Sequence, residues 1–293
     1  MAIPARNEAA LIGRCLDALA AQQNPGDFCV IVLVNGCTDD TASIAAQPRG
    51  LDMHVIETDL PTDRQGAGHA RRAAMAAAAQ LGNIILTTDA DCVADRDWIA
   101  AHRAAFAKGV DAVAGRVSGD WSELQRLPPR ALEIGALEWE YLELLAQAEA
   151  MFDPRPHDPA PRHAQCCGAN IGITTSMLAR VGGVPPLATG EDRALIDAVD
   201  AIGGLVRHDP APHVTASART LGRATGGMAD ALTARMTSGY RCDAQFEPVD
   251  RLKAKWAARQ AARPFDAAPA DLLRPEELPA QIVQLRQLIE TSG

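Results

Sequence analysis

Apolar positions along the chain switch repeatedly between a helical and a strand period. Ile3 sits in a very short apolar start, and residues 8–22 follow with a helical repeat. Residues 29–34 (CVIVLV) form a continuous apolar, largely β-branched run of the kind buried on both faces of a sheet. Thr38, Asp39 and Asp40 then offer N-cap chemistry for a helix reaching Ala46. Residues 53–57 read as a short strand, 66–80 as a long alanine-rich helix and 84–88 as another buried strand. A helix over 95–108 and a strand over 111–117 complete the first half. Strands alternating with helices predict an α/β fold with a parallel, doubly wound sheet and right-handed crossovers.

The middle of the chain changes character. Residues 130–150 place Ile134, Leu137, Tyr141, Leu145 and Ala148 on one helical face. Glu133, Glu138, Glu140, Glu143 and Glu149 make the remainder an acidic face, expected to be solvated. Four prolines between 153 and 162 require a loop there, long enough to be functional or disordered. The C-terminal part is helical again, with Arg251, Lys255, Arg259 and Arg263 recurring every fourth residue as one basic stripe. A solvated face is the commoner use of such a stripe; anionic lipid or an acidic substrate is the other, which leaves peripheral membrane contact open. Pro275 and Pro279 precede a short amphipathic helix carrying Ile282, Leu285 and Ile289.

Composition narrows the function. The 293 residues suit one large domain or two smaller ones, and 28 Lys plus Arg against 37 Asp plus Glu give a net charge of −9. That balance argues against a nucleic-acid partner held by phosphate neutralisation. Arg6, Glu8 and Arg14 at the start are foreign to a secretory signal. The longest apolar stretches, 30–34 and 73–79, fall far short of the ~20 residues that span a bilayer. Seven cysteines without a CxxC pair disfavour a zinc knot and make a reduced, cytoplasmic setting the expectation.

Three places carry candidate chemistry. Asp89 and Asp91, one residue apart, follow a buried strand, and ligands of open α/β sheets bind outside the carboxyl ends of strands. Such a pair suits Mg²⁺ or Mn²⁺ neutralising a diphosphate leaving group. Equally it reads as turn and cap residues, or as the nucleophile loop of a haloacid-dehalogenase-like phosphatase. Against the phosphatase, that motif belongs on a first strand and here follows the fourth. Glu191 and Asp192 open a second helical pattern, where the helix dipole favours acids whatever their role; a general base is the functional reading. Arg219 and Arg223, four apart, could aim both guanidinium groups at one anion or be ordinary surface arginines. His213 stands alone, more often a structural position than a ligand, and Cys166 with Cys167 reads as small buried apolar residues.

Taken in order, these blocks resemble the family 2 glycosyltransferases of GT-A fold. The resembling blocks are Ile3-Pro4-Ala5-Arg6-Asn7-Glu8, Val34-Asn35-Gly36-Cys37-Thr38-Asp39, Gly66-Ala67-Gly68-His69-Ala70-Arg71, Thr88-Asp89-Ala90-Asp91, Gly168-Ala169-Asn170-Ile171-Gly172 and Gly190-Glu191-Asp192, spanning roughly residues 1–225. The resemblance implies a Rossmann-type mixed, mostly parallel sheet flanked by helices, with a helical C-terminal extension. It implies a nucleotide-sugar-binding half over 1–117, an acceptor-binding and catalytic half over 118–227, and the extension over 228–293. Pro4, Ala5, Glu8 and Asn35 would hold the nucleoside. Arg71 would meet the diphosphate, and Gly168 and Asn170 would form a sugar and acceptor platform. Asp91, with Asp89, would bind the metal, joined by His213 as a third ligand, while Arg219 and Arg223 would clamp phosphate. Asp192 would be the base of an inverting transfer to an acceptor hydroxyl, with Glu191 beside it. Val34-Asn35 stands where the family commonly has consecutive aspartates, so a UDP-sugar donor is only the default. A non-catalytic nucleotide-sugar binding module is the remaining alternative.

Overall fold

The computed structural model describes residues 1–64, 66–222, 226–263, 265 and 271–291. Eight strands form one sheet: β1 (Ala2–Ala5), β2 (Val30–Asn35), β3 (Met53–Thr58), β4 (Ile84–Thr87), β5 (Cys92–Ala94), β6 (Ala112–Gly119), β7 (Ile171–Thr174) and β8 (Val206–Ala216), in the order β3-β2-β1-β4-β7-β6-β8-β5. Helices α1 (Ile12–Ala20), α2 (Thr41–Ala45), α3 (Ala67–Ala78), α4 (Trp98–Phe106), α5 (Trp121–Leu124), α6 (Pro129–Phe152), α7 (Thr175–Arg180) and α8 (Glu191–Ala201) run between and after the strands. Helices α9 (Met228–Ala234), α10 (Val249–Gln260) and α11 (Leu278–Glu290) close the chain.

Strand period and burial explain the layers. In β2, Val30, Val32 and Val34 face one apolar cluster, with α1 and α4, while Ile31 and Leu33 face another, with α3, α7 and α8. A strand covered on both faces has no polar face, which is why residues 29–34 read as unbroken hydrophobicity. A third cluster joins Tyr141, Leu142 and Leu145 of α6 to Leu252 and Trp256 of α10 and to Ile282 and Leu285 of α11. The helical C-terminal extension is thus present and packs on α6.

The sheet is mixed rather than wholly parallel. β7 pairs antiparallel with β4 and β6, and β5 pairs antiparallel with β8. β8 escapes the sequence pattern because Pro210 and Pro212 interrupt it. Both fall where the register jumps, Gly115 facing Asp209 and Arg116 facing His213, so the prolines occupy an irregularity that asks no ladder bond of them.

Three expectations about charged stretches change. The acidic face of α6 is paired rather than solvated: Glu138 is buried with Arg235 and Tyr240, Glu143 meets Arg116 at 2.6 Å, and Glu149 meets Arg162 at 2.8 Å. The basic stripe turns toward acids, with Arg251 and Lys255 on Glu247 and Arg259 on Asp153 and Asp200. The proline-rich loop is pinned at Asp158, whose side chain is fully buried against Arg162, Arg207 and His208. Burial alone would raise that carboxyl, but the hydrogen bond and charge of His208 with the charge of Arg162 hold it below the usual range.

Candidate active site

The carboxyl ends of β1, β2 and β4 open onto one cavity of about 270 Å³. Pro4, Ala5 and Glu8 reach it from the β1 loop, Asn35 from the end of β2, and Asp89 and Asp91 from the turn after β4. The opposite wall is Gly168, then Glu191 and Asp192 at the start of α8, then Arg219 beyond β8. Residues from the two halves of the sequence, up to 211 positions apart, are thereby brought into contact.

Arg71 of α3 is the hub. Its guanidinium donates to Glu191 Oε1 at 2.9 Å, Asp89 Oδ1 at 2.8 Å, the Gly168 carbonyl at 2.7 Å and Thr87 Oγ1 at 3.2 Å. Only 4% of its side chain is exposed, and Arg71 ties the two walls together while lining the cavity between them. The glycines around it answer to packing. A Cβ on Gly68 would stand 2.1 Å from the Leu187 carbonyl, and one on Gly168 would stand 2.5 Å from the Arg71 guanidinium. The Gly-rich start of α3 is therefore a close approach to residues 187–191, with Gly66 and Ala67 on the cavity wall.

Glu191 is buried as the partner of Arg71, whereas Asp192 stays partly accessible in the cavity. The Asp192 carboxylate accepts from the Gly168 N–H at 2.8 Å through Oδ2 and from the Arg193 N–H at 2.8 Å through Oδ1. Two backbone donors fix its plane, which a group that must take a proton from a ligand requires.

Asp89, Asp91 and Cys92 bring their ligand atoms within 4.8 Å of one another. Burial, then the charge of Asp89, pushes the Asp91 carboxyl up to about 7, Glu8 adding to the rise and Arg219 opposing it. Arg219 grips Glu8 through two nitrogens, at 2.7 and 2.5 Å, and meets Asp91 at 3.0 Å. Burial raises the Cys92 thiol well above its ordinary value, so it stays protonated and apolar in behaviour. The thiols of Cys166 and Cys167 are likewise raised, although both side chains are half-buried rather than buried and Cys167 lines the cavity.

Two candidates lie elsewhere. His213 has both ring nitrogens committed, Nδ1 to Asp95 at 3.0 Å and Nε2 to Ser118 at 2.9 Å, and it does not join the acidic cluster. Asn170 is fully buried: its Oδ1 meets Trp98 Nε1 and His102 Nε2, and its Nδ2 donates to the carbonyls of Arg116 and Pro212. It ties β6, β8 and α4 together instead of forming a platform. Arg223 lies outside the described residues. Sequence reasoning missed the cavity wall at Ser217 and at Gly226, Gly227 and Met228, and Glu123 behind it, which accepts from Ser217 Oγ at 2.8 Å and the Ala218 N–H at 2.6 Å. None carries a motif; nearness to Arg219 in sequence could have pointed to Ser217 and Gly226–Met228, but nothing local points to Glu123.

The mixed α/β sheet, with carboxylates at its rim and a cavity across its strand ends, is a fold of GT-A type. Residues 1–160 match the family model described as Glycosyl transferase family 2, and the chain belongs to that family: it is a glycosyltransferase. No curated protein sequence matches it. Among solved structures, S. aureus TarS 1–349 in complex with UDP-GlcNAc aligns over 99% of this chain and 71% of its own, at 18% identity and a TM-score of 0.54. Mannosyltransferase PcManGT from Pyrobaculum calidifontis, in complex with GDP-Man and Mn²⁺, covers 99% and 74% at 20% identity and 0.52. Glucosyl-3-phosphoglycerate synthase from Mycobacterium tuberculosis, with Mn²⁺, UDP and phosphoglyceric acid, covers 80% and 75% at 20% and 0.51. Among the described residues no helix is long and apolar enough to cross a membrane.

Proposed function

We propose that the cavity binds a nucleotide-diphosphate sugar and that the protein transfers the sugar to an acceptor hydroxyl with inversion at the anomeric carbon. The observation that carries this reading is the convergence of Asp89, Asp91 and Asp192 on one cavity. Residues 1–117 supply the donor wall, where Pro4, Ala5, Glu8 and Asn35 flank the nucleoside. Residues 118–227 supply Gly168, Asp192 and Arg219, and the C-terminal helices border the acceptor side.

The donor set fits a hard divalent cation, since it is two carboxylates beside a protonated thiol. Asp91 with Asp89 would hold Mg²⁺ or Mn²⁺, which when bound stabilises charge developing on the leaving diphosphate. Asp192, fixed by its two backbone donors, takes the acceptor hydroxyl's proton at its carboxylate as that oxygen attacks the face opposite the diphosphate. Arg71 holds Asp89 and Glu191 in register, so the base and the acidic pair keep a constant separation. Solved relatives in fold carry UDP-GlcNAc, UDP or GDP-Man, which keeps a UDP-sugar as the default donor and a GDP-sugar as the competitor. We place the reaction in the cytoplasm, where the seven free thiols remain reduced.

Nucleotide release from UDP- and GDP-sugars, with Mg²⁺ or Mn²⁺ and a panel of hydroxyl acceptors, tests the assignment. Wild type should release nucleotide in an acceptor-dependent manner that Asp91→Ala and Asp192→Asn both abolish. Equal rates in all three would overturn the roles. Turnover of simple phosphate esters without a sugar donor would revive the phosphatase, and donor binding without turnover would leave a binding module.

A further inference from the structure

Asp91 has a second claimant besides a metal ion. A guanidinium nitrogen of Arg219 lies 3.0 Å from its Oδ2, while the same carboxylate belongs to the acidic cluster at the sheet rim. Two arginines of the site, Arg71 and Arg219, are anchored very differently. Arg71 sits in the middle of a helix with its side chain 4% exposed, and leaving Asp89 would mean breaking a four-bond network. Arg219 comes from the chain beyond β8, its side chain is 24% exposed, and every partner found for it is a carboxylate or a neighbouring Ser217 hydroxyl. A guanidinium held against Asp91 also places a positive charge where a divalent cation would need to come, and like charges that close exclude each other.

We infer that Arg219 is an exchangeable counter-cation: it and a divalent ion hold Asp91 in alternation, and it thereby couples metal uptake to arrival of the nucleotide diphosphate. This rests on the metal and donor reading proposed above. A diphosphate entering the cavity offers Arg219 new anionic oxygens close to Asp91, so the guanidinium can leave that carboxylate without losing a charged partner. Arg219 therefore opposes metal binding alone more than it opposes metal binding with nucleotide present. By linkage the two ligands then strengthen each other reciprocally. Glu8 tunes the exchange. Its bidentate grip shares the guanidinium with Asp91, and without it Arg219 falls more fully to Asp91.

The test measures Mn²⁺ affinity of the full chain by calorimetry, alone and with UDP or GDP, without acceptor. Arg219→Met is expected to bind Mn²⁺ alone about two- to fivefold more tightly, the scale of one partly exposed ion pair. The gain in Mn²⁺ affinity on adding nucleotide should shrink by a similar factor. Glu8→Gln should weaken Mn²⁺ binding alone, the opposite sign. Because Arg219→Met leaves buried Glu8 without that partner, the double variant Glu8→Gln/Arg219→Met removes both charges and should still bind Mn²⁺ alone more tightly than wild type. Asp91→Asn should abolish binding in each background; if Mn²⁺ still binds there, the metal reading itself fails. If Asp91→Asn abolishes binding while Arg219→Met and the double variant leave affinity and coupling unchanged, or if Glu8→Gln moves affinity in the same direction as Arg219→Met, the exchange is overturned.

Discussion

Two cavities of this fold are lined with charge, and they are balanced in opposite ways. At the sheet rim, Glu8, Asp89, Asp91, Glu191 and Asp192 face Arg6, Arg71 and Arg219 among the described residues, in a cavity of about 270 Å³. Between α6, α8 and α10 lies a larger one of about 550 Å³. There Glu149, Asp153, Asp197, Asp200, Glu247 and Asp271 face Arg155, Arg162, Arg193, Arg251, Lys255 and Arg259. Charge cancels in the larger cavity and leaves two surplus negatives in the smaller. Burial raises a carboxyl in each cavity, Asp197 in the larger and Asp91 in the smaller; at the rim the charge of Asp89 adds to burial and takes Asp91 to about 7, and a divalent cation is the natural relief. The comparison teaches that volume is a poor guide to chemistry here. Imbalance is the better one.

The largest expected effect breaks the imbalanced side at its base. Asp192→Asn keeps an acceptor for one of the two backbone donors but cannot take a proton, so acceptor-dependent nucleotide release should fall by roughly 10²–10⁴-fold. A far-ultraviolet melt should be nearly unchanged. Next comes the hub. Arg71→Met leaves Asp89 and buried Glu191 without their shared cation, and breaking one side of a buried ion network costs about 3–5 kcal/mol. Urea unfolding should show that loss as a lower midpoint at constant slope; a loss below about 1 kcal/mol would mean that the two walls hold without Arg71.

How much of this could be read beforehand depends on the kind of interaction. Strands β2 and β4 were legible because burial on both faces writes itself as a local apolar run. The rim acids were legible because chemistry at strand ends uses short, contiguous motifs: Asp89, Asp91 and Asp192 all line the cavity. What stayed hidden was long-range. Nothing local in Glu138 says that Arg235 and Tyr240 will bury it, and nothing in Arg71 says that Glu191, 120 residues later, will pair with it. Asn170 and His213 misled for the same reason. Their motif context marked them, but partners from distant strands had already taken their polar atoms. The pairing partners of β7 and β5 likewise depend on where the chain returns, which no window of sequence contains.

Acid should act with opposite sign on two buried histidines of the scaffold and on the rim acid Asp91. His102 is pushed down to about 4 and His163 to about 3, both chiefly by burial. The unfolded chain binds these protons near pH 6.5, so their stabilising contribution is complete above that pH. It is lost at up to about 1.4 kcal/mol per unit per histidine as pH falls toward 4. Asp91 works the other way. Its raised carboxyl holds a proton that the unfolded chain has released above about pH 3.9, so acidification from 7 toward 4 adds stability there. Scanning calorimetry in chelated buffer should show the midpoint falling from pH 6.5 to 5, less steeply in His163→Gln and more steeply in Asp91→Asn. An unaltered slope in Asp91→Asn would remove the proposed imbalance at the rim.

The smallest effect belongs to the balanced cavity. Lys255 Nζ meets Glu247 Oε1 at 2.9 Å with the lysine side chain 40% exposed, a geometry whose ion pairs are worth about 0.2–1 kcal/mol. Lys255→Ala leaves Glu247 paired with Arg251 at 2.7 Å, so the carboxylate keeps a cation and no buried charge is stranded. The melting midpoint should drop by no more than about 3 °C. The contrast with Arg71→Met is then a statement about redundancy: where charges alternate in a mesh, a neighbour takes over a lost partner, and where three cations serve five acids, none can. If Lys255→Ala instead costs as much as Arg71→Met, the larger cavity has no such redundancy, and counting charges around a cavity loses its power to tell the site of chemistry from the scaffold.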